Sequence, residues 1–398
     1  PDPAPEKEYI KIYYLRFPDS TQKMKKIEMV DLRSQYERLK ADIDNAIAGV
    51  ISSAAFIRGP EVRLFEEELQ RYLGIRHVIS CANGTDALQI AMMALGLKPG
   101  DEVITTNFTF IATVEVIELL GLKAVLVEPD KDTFNISVEA VRKVITPRTR
   151  AIVPVHLFGQ CADMEPILEL ARQHGIHIIE DVAQATGTEY RFTDGTVKKA
   201  GTMGTIGCTS FFPSKNLGCY GDGGALFTDN DELAGLIRSI TNHGMKVRYY
   251  HDTIGVNSRL DTIQAAILRV KLRHLDAFNE ARAQAAAFYD TQLSGLPGIT
   301  VPARSVFSSH IFHQYTLKIA GGERNSLREC LENEGIPSMI YYPVPLHMQK
   351  AYLHLGYQPG DFPVTTQLSG EVLSLPMHTE LDDEQLAWIT GCIRSKFN

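Results

Sequence analysis

His77-Val-Ile-Ser-Cys-Ala82 and Val103-Ile-Thr-Thr106, linked by Asn83-Gly-Thr-Asp86 and a helical run through Ala94, open the alternation that decides the fold. Each apolar run is short, and a helix-length segment follows it. Ile111–Leu120 reads as a helix, Ala124-Val-Leu-Val127 as a strand and Val138–Ile145 as a helix. Ala151-Ile-Val-Pro-Val155 continues as a strand, Pro166–His174 as a helix and Ile176–Ile179 as a strand. Strands alternating with helices in this way are βαβ units, so the expected class is α/β, with a mostly parallel sheet covered on both faces. Cys208–Phe212 and Ala225–Thr228 add strands.

Around this block the pattern changes. Asp31–Ile51 carries apolar residues at helical spacing (Leu32, Tyr36, Leu39, Ile43, Ile47) and reads as an amphipathic arm. Glu61–Leu73 follows as a second helix, with Gly59-Pro60 marking its start. Leu260–Leu293 reads as one long helical stretch. Beyond it lies a smaller α+β unit, with strands expected at Phe312–Ile319 and Ile336–Tyr342 and helices near Ser326–Glu334 and Asp383–Ser395. Three segments follow: residues 1–23 as an N-terminal extension of no assigned function, 24–275 as the large domain with its helical arm, and 276–398 as the small domain.

Within this frame one lysine stands out. Lys215 follows a β-rich run ending at Pro213 and precedes Gly218, Gly221, Gly223 and Gly224. A loop lysine is ordinarily a solvated amine. Held in a rigid turn and screened from water, it becomes an amine that condenses with an aldehyde. Asp181 ends the apolar strand Ile176–Ile179 and its acidic pair, a position where α/β folds place ligand contacts. Alone it reads equally well as a helix cap. Paired with Lys215, it suits the partner of a protonated pyridine nitrogen, as pyridoxal 5'-phosphate (PLP) requires, and Gln184 can then reach the ring hydroxyl. Gly84 and Thr85 open a helix, where free N–H groups and a hydroxyl make a phosphate cradle. Phe110 follows a strand end, either as core or as an aromatic that stacks on a flat ring. Arg259 sits near a helix start, where its charge opposes the helix dipole and invites an anion.

The totals exclude several classes. The chain has 398 residues, 44% hydrophobic, enough for a large core, and its mean hydropathy is -0.09. A formal net charge of -8 without a basic run argues against nucleic acid or an anionic membrane as main partner. Six scattered cysteines form neither a zinc pattern nor a disulfide framework, so no metal is expected and a reducing cytoplasm fits. No apolar run approaches the ~18 residues of a membrane span. Pro1–Lys23 lacks a signal-peptide core, and Met24-Lys25-Lys26 resembles an initiator.

Five motifs together carry a resemblance: NGTDAL (83–88), TFIAT (109–113), EDVAQATG (180–187), SFFPSKNLGCYGDGGA (210–225) and GVNSRLD (255–261). With them the chain resembles the DegT/DnrJ/EryC1/StrS nucleotide-sugar aminotransferases from about Ile27 to the C-terminus. The resemblance implies PLP fold type I, a large domain built on a mostly parallel seven-stranded sheet with a smaller C-terminal α+β domain. It implies that Lys215 is the Schiff-base lysine, Asp181 the pyridine partner, Gln184 the ligand of the ring hydroxyl and Phe110 the stacking aromatic. It further implies that Gly84, Thr85 and Ser210 hold the phosphate, and that Asn257 is donated from the second subunit of a homodimer with shared active sites. By the same likeness Arg259 lies near the nucleotide-sugar, and Tyr342 and His347 belong to a loop that touches substrate.

Family members that are sugar dehydratases carry histidine in place of the lysine, so Lys215 implies transamination. The implied reaction moves an amino group, from L-glutamate by family analogy, to carbon 3 of a UDP-linked 2-acetamido-3-keto sugar or uronate for surface polysaccharide biosynthesis. Carbon-4 and dTDP-keto-sugar enzymes share most of the motifs. A PLP-binding regulator without turnover is the alternative of a different class. A dinucleotide enzyme fits less well, because no G-x-G-x-x-G follows the early strands.

Overall fold

The computed structural model describes residues 25–397, so the expected extension at 1–23 lies outside the described residues. Seven strands build the main sheet: β1 (His77–Cys81), β2 (Glu102–Thr106), β3 (Lys123–Val127), β4 (Thr149–Val153), β5 (His177–Asp181), β6 (Ile206–Ser210) and β7 (Gly224–Thr228). Their order is β1-β7-β6-β5-β4-β2-β3. Only β7 runs against its neighbours β1 and β6; every other pairing in this sheet is parallel.

Both faces are buried, which explains why the strands are continuous apolar runs rather than alternating ones. Adjacent residues feed opposite layers. Val103 packs with Leu88, Ala91, Val116 and Ile237 from the helices on one face. Ile104 packs with Val141, Ile167 and Leu170 from the helices on the other. The same alternation governs the end of β5. Glu180 turns toward the Gly201–Gly204 loop, accepting from the N–H groups of Gly201, Met203 and Gly204 at 2.9, 2.7 and 2.6 Å. It also accepts from His156 Nε2 at 2.9 Å. Asp181 therefore faces the opposite way, toward the candidate site.

Helix α1 (Leu32–Ser53) is capped by Asp31, whose carboxylate accepts from the Ser34 N–H at 2.9 Å. Helix α2 (Pro60–Leu73) begins with Pro60, as Gly59-Pro60 led us to expect. The long stretch expected over 260–293 is two helices, Thr262–Leu272 and Leu275–Leu293. No glycine or proline marks the break. The first helix packs Leu268 and Leu272 under the sheet domain, whereas Ala286, Tyr289 and Leu293 of the second enter a separate core.

That second core belongs to the smaller unit, built on a three-stranded antiparallel sheet of Ile299–Thr300, Tyr315–Ile319 and Val372–Leu375. The strand expected at Ile336–Tyr342 is reduced to a single bridge between Met339 and Ser374. Pro337 lacks a ladder donor, and the place beside Tyr315–Ile319 is taken by Val372–Leu375. Two segments cross the boundary expected at 275/276. Ile27 packs in the small core, and Leu346, Tyr352 and Phe362 pack in the large one.

Replacing Glu180 by alanine should strand two buried N–H groups, the partly buried Gly204 N–H and His156, costing at least about 3 kcal/mol. Denaturant unfolding checks this; a change under ~0.5 kcal/mol would contradict the bond network.

Candidate active site

The site forms where neighbouring parallel strands β5 and β6 end. Asp181 pairs with Cys208 in register, β6 continues to Ser210, and the chain then turns to Lys215. The turn is tightly fixed. Lys215 N–H donates to Phe212 O, and Cys219 N–H to Phe211 O, each at 2.8 Å. A Cβ at Gly218 would stand 2.4 Å from Pro213 O, so this closure requires glycine. Lys271, itself buried, donates its ammonium to Gly218 O at 2.6 Å. Beyond the lysine, Asn216 donates to Asn279 Oδ1 at 2.7 Å and Ile311 O at 3.2 Å.

The His313 ring completes this support. Its Nδ1 lies 3.2 Å from Asn216 Oδ1, an atom that only accepts, so Nδ1 carries the proton. Burial, with the Lys215 and Arg282 charges nearby, holds His313 well below the usual imidazole range. It is therefore a neutral prop beside the lysine.

Lys215 is half-buried as a residue, yet desolvation brings its amine down to about 8, against the opposing pull of Asp181. Asp181 is 8% exposed. Burial raises its pKa, while the Ala183 N–H at 3.1 Å, the Thr113 hydroxyl at 3.0 Å and the Lys215 charge oppose that rise. The pair thus presents an amine that gives up its proton more readily than a solvated lysine and a carboxylate whose charge burial disfavours.

The remaining walls follow. Helix α3 (Gly84–Ala94) points its N-terminus at the end of β6; a Cβ at Gly84 would stand 2.6 Å from Ser210 Cβ. Asn83 caps the Asp86 N–H at 2.8 Å, leaving the earlier N–H groups of the turn for a ligand. Gln184 accepts from the Phe158 N–H at 2.7 Å and donates to the Tyr342 hydroxyl at 3.2 Å. The Tyr342 ring lies 6.4 Å from that of Phe110, which is 56% exposed and so has a free face.

Asn257 is exposed and bridged through its backbone to Asn242. Its neighbour Ser258 accepts from the Ala82 N–H at 3.0 Å, so Asn257 and Arg259 lie beside the strand that leads into α3. Arg259 is half-buried near Arg58. His347 stands elsewhere. It is 0% exposed, lies against Phe362 and places Nδ1 2.7 Å from Asn107 Nδ2. Its backbone N–H donates to Asn107 Oδ1 at 3.0 Å, so it braces the turn leading to Phe110.

Thr113, Asn216, Lys271 and His313 escaped the sequence reading. Thr113 had a signal, as the last residue of TFIAT. His313 had none, because its partner is 97 residues away in the chain.

The residues fit PLP: a buried carboxylate, an amine, a Cβ-free helix N-terminus and an exposed aromatic stand at the ends of the sheet strands and the turns that follow them. Only the neutral amine attacks an aldehyde, so uptake of PLP by the apoprotein should accelerate as pH rises through about 8 and then level off. Stopped-flow absorbance measures it; a midpoint near the ordinary ~10.4 of lysine would contradict the desolvated amine.

The DegT/DnrJ/EryC1/StrS aminotransferase family model matches residues 37–394. The chain is 46% identical over 365 residues to the pleiotropic regulatory protein of Geobacillus stearothermophilus, covering 91% of this chain and 96% of that one. It is 45% identical over 367 residues to the UDP-2-acetamido-2-deoxy-3-oxo-D-glucuronate aminotransferase of Pseudomonas aeruginosa, covering 92% and 99%. Its structure superposes on that of DesV from S. venezuelae with a TM-score of 0.90 at 41% identity, over 94% and 99% of the two chains. A match of this extent, on a seven-stranded fold with a buried lysine–aspartate pair, establishes that the chain belongs to the DegT/DnrJ/EryC1/StrS aminotransferase family.

Proposed function

We propose that this PLP-dependent aminotransferase moves the amino group of L-glutamate to carbon 3 of a UDP-linked 2-acetamido-3-keto sugar or uronate, toward surface polysaccharide. The observation that carries the chemistry is the placement of Lys215 and the buried Asp181 at the ends of neighbouring strands, where burial favours the neutral amine. Support for the substrate comes from the P. aeruginosa relative, named for a 3-oxo uronate and matched over 92% of this chain.

PLP, when bound, supplies an electrophilic aldehyde and a ring that accepts an electron pair. The α3 N-terminus at Gly84 and Thr85, with the Ser210 hydroxyl, holds its phosphate. Phe110 covers a ring face and Gln184 takes the ring hydroxyl. Asp181 keeps a proton on the pyridine nitrogen, a cationic partner that also relieves its own buried charge. Lys215 Nζ would be the base that takes the proton from the amino acid Cα and, as ammonium, the acid that gives it back. In the second half-reaction the same amine works in reverse on the keto-sugar.

Arg259 binds the nucleotide-sugar and Tyr342 lines the substrate side. His347 serves by holding Asn107. Asn257, exposed beside the cradle, reaches the phosphate of a second copy in a homodimer with shared sites. Six free thiols suit a cytoplasmic enzyme.

The relative named as a regulatory protein favours a second reading, PLP binding without turnover. Glutamate separates the two: an enzyme's PLP absorbance passes to the pyridoxamine form, and a pure binder's does not change.

Lys215→Ala should lower turnover at least ~100-fold and abolish borohydride fixation of PLP; normal turnover would contradict the assignment. Asp181→Ala should lower kcat far more than PLP content. With 15N-glutamate and a panel of UDP- and dTDP-keto-sugars, kcat/KM should be highest for the UDP 3-keto sugar, with label on carbon 3. Label on carbon 4, or preference for dTDP substrates, would overturn the substrate assignment.

A further inference from the structure

We propose that Cys330 and Cys392 are an oxidisable pair that closes into an intramolecular disulfide when the protein meets a hydroperoxide. Their sulfurs lie 3.7 Å apart, both thiols are free, and both residues are partly exposed. The pair stands in the small unit, away from Lys215.

The geometry is more than a chance contact. Helices Arg324–Asn333 and Asp383–Phe397 lie side by side on the small core through Leu327, Leu331, Ile389 and Ile393. They are joined along one face by three rungs at helical spacing. Lys396 Nζ donates to Ser326 Oγ at 2.6 Å at one end, and Trp388 Nε1 to Glu334 O at 3.4 Å at the other. Cys330 and Cys392 are the middle rung, four residues from each outer partner on both helices. The outer rungs hold the helices in register, so the sulfurs need close only roughly 1.7 Å to reach a disulfide length of about 2.05 Å.

The other four cysteines are excluded from this chemistry. Cys81, Cys161, Cys208 and Cys219 are at most 1% exposed. Burial raises the pKa of each. Cys219 also donates to Phe211 O and Gly221 O at 3.0 and 3.1 Å.

Chemistry proceeds in two displacements. The Cys330 sulfur, as thiolate, attacks one oxygen of the hydroperoxide; the O–O bond breaks, the other oxygen leaves and takes a proton, and Cys330 becomes a sulfenic acid. The Cys392 thiol, its sulfur 3.7 Å away, acts second. Its sulfur then attacks the Cys330 sulfur, and the departing hydroxide leaves as water with the Cys392 proton. Two thiols and one hydroperoxide give one disulfide, one water and one alcohol, or a second water from hydrogen peroxide. The bond joins residues 62 apart in the chain, which restricts the unfolded state and staples the two helices. A reducing compartment keeps the pair open until peroxide rises.

The test uses the full chain loaded with PLP, treated briefly with hydrogen peroxide, denatured and alkylated with N-ethylmaleimide. Adducts should fall from six to four, dithiothreitol should restore six, and peptide mapping should join 330 to 392. The melting temperature should rise on oxidation in the native chain and not in Cys330→Ser or Cys392→Ser. Six adducts after peroxide, oxygen added at either sulfur without a link, or a bond between two chains would overturn the proposal. The labelling count needs no variant, so it decides even if a serine variant folds poorly.

Discussion

The structure turns on a desolvated amine and a desolvated carboxylate placed at the ends of neighbouring strands. Burial drives Lys215 toward its neutral form and Asp181 toward its protonated one, while each charge opposes the other's shift. Their attraction alone does not restore what water would have given the two groups. A ligand bringing an electrophilic carbon to the amine and a cationic N–H to the carboxylate relieves both. The pair is therefore suited to a ligand that carries both groups.

Strand alternation is what makes the pair possible. Glu180 and Asp181 are consecutive carboxylates with opposite fates: the first accepts three backbone N–H groups and His156, the second Thr113 and the Ala183 N–H. A slip of β5 by one residue would exchange them and remove the site. The register is secured by buried Ile178 and Ile179, which enter opposite cores. The lysine turn is held separately, by Lys271 from below and by the Asn216–His313 pair from the side.

The first five strands were legible because buried parallel strands are short apolar runs separated by helices, whereas β6 and β7, with no helix between them, were legible only as apolar runs flanking the lysine turn. Lys215, Asp181 and Gln184 were legible because they stand in dense motifs at strand ends. What escaped depends on contacts distant in sequence. No local residue marks the break near His274; past it, the second helix leaves the clusters it shares with the first through Leu275 and Phe278 and runs on into the small core. Ile336–Tyr342 looks like a strand by composition, but Val372–Leu375 holds the place it would need. His347 sits in a loop expected to touch substrate, and only the fold reveals its ring buried on Phe362 with its nitrogen at Asn107.

The thiol pair between Arg324–Asn333 and Asp383–Phe397 belongs to the scaffold rather than the site, so its oxidation and the chemistry at Lys215 can be examined independently. The most direct measurement of the central claim is a crystal structure of the chain with PLP. Continuous density should run from Lys215 Nζ into the cofactor, with an Asp181 oxygen about 3 Å from the pyridine nitrogen. A Lys215 amine directed into solvent, or a ring nitrogen turned away from Asp181, would contradict it.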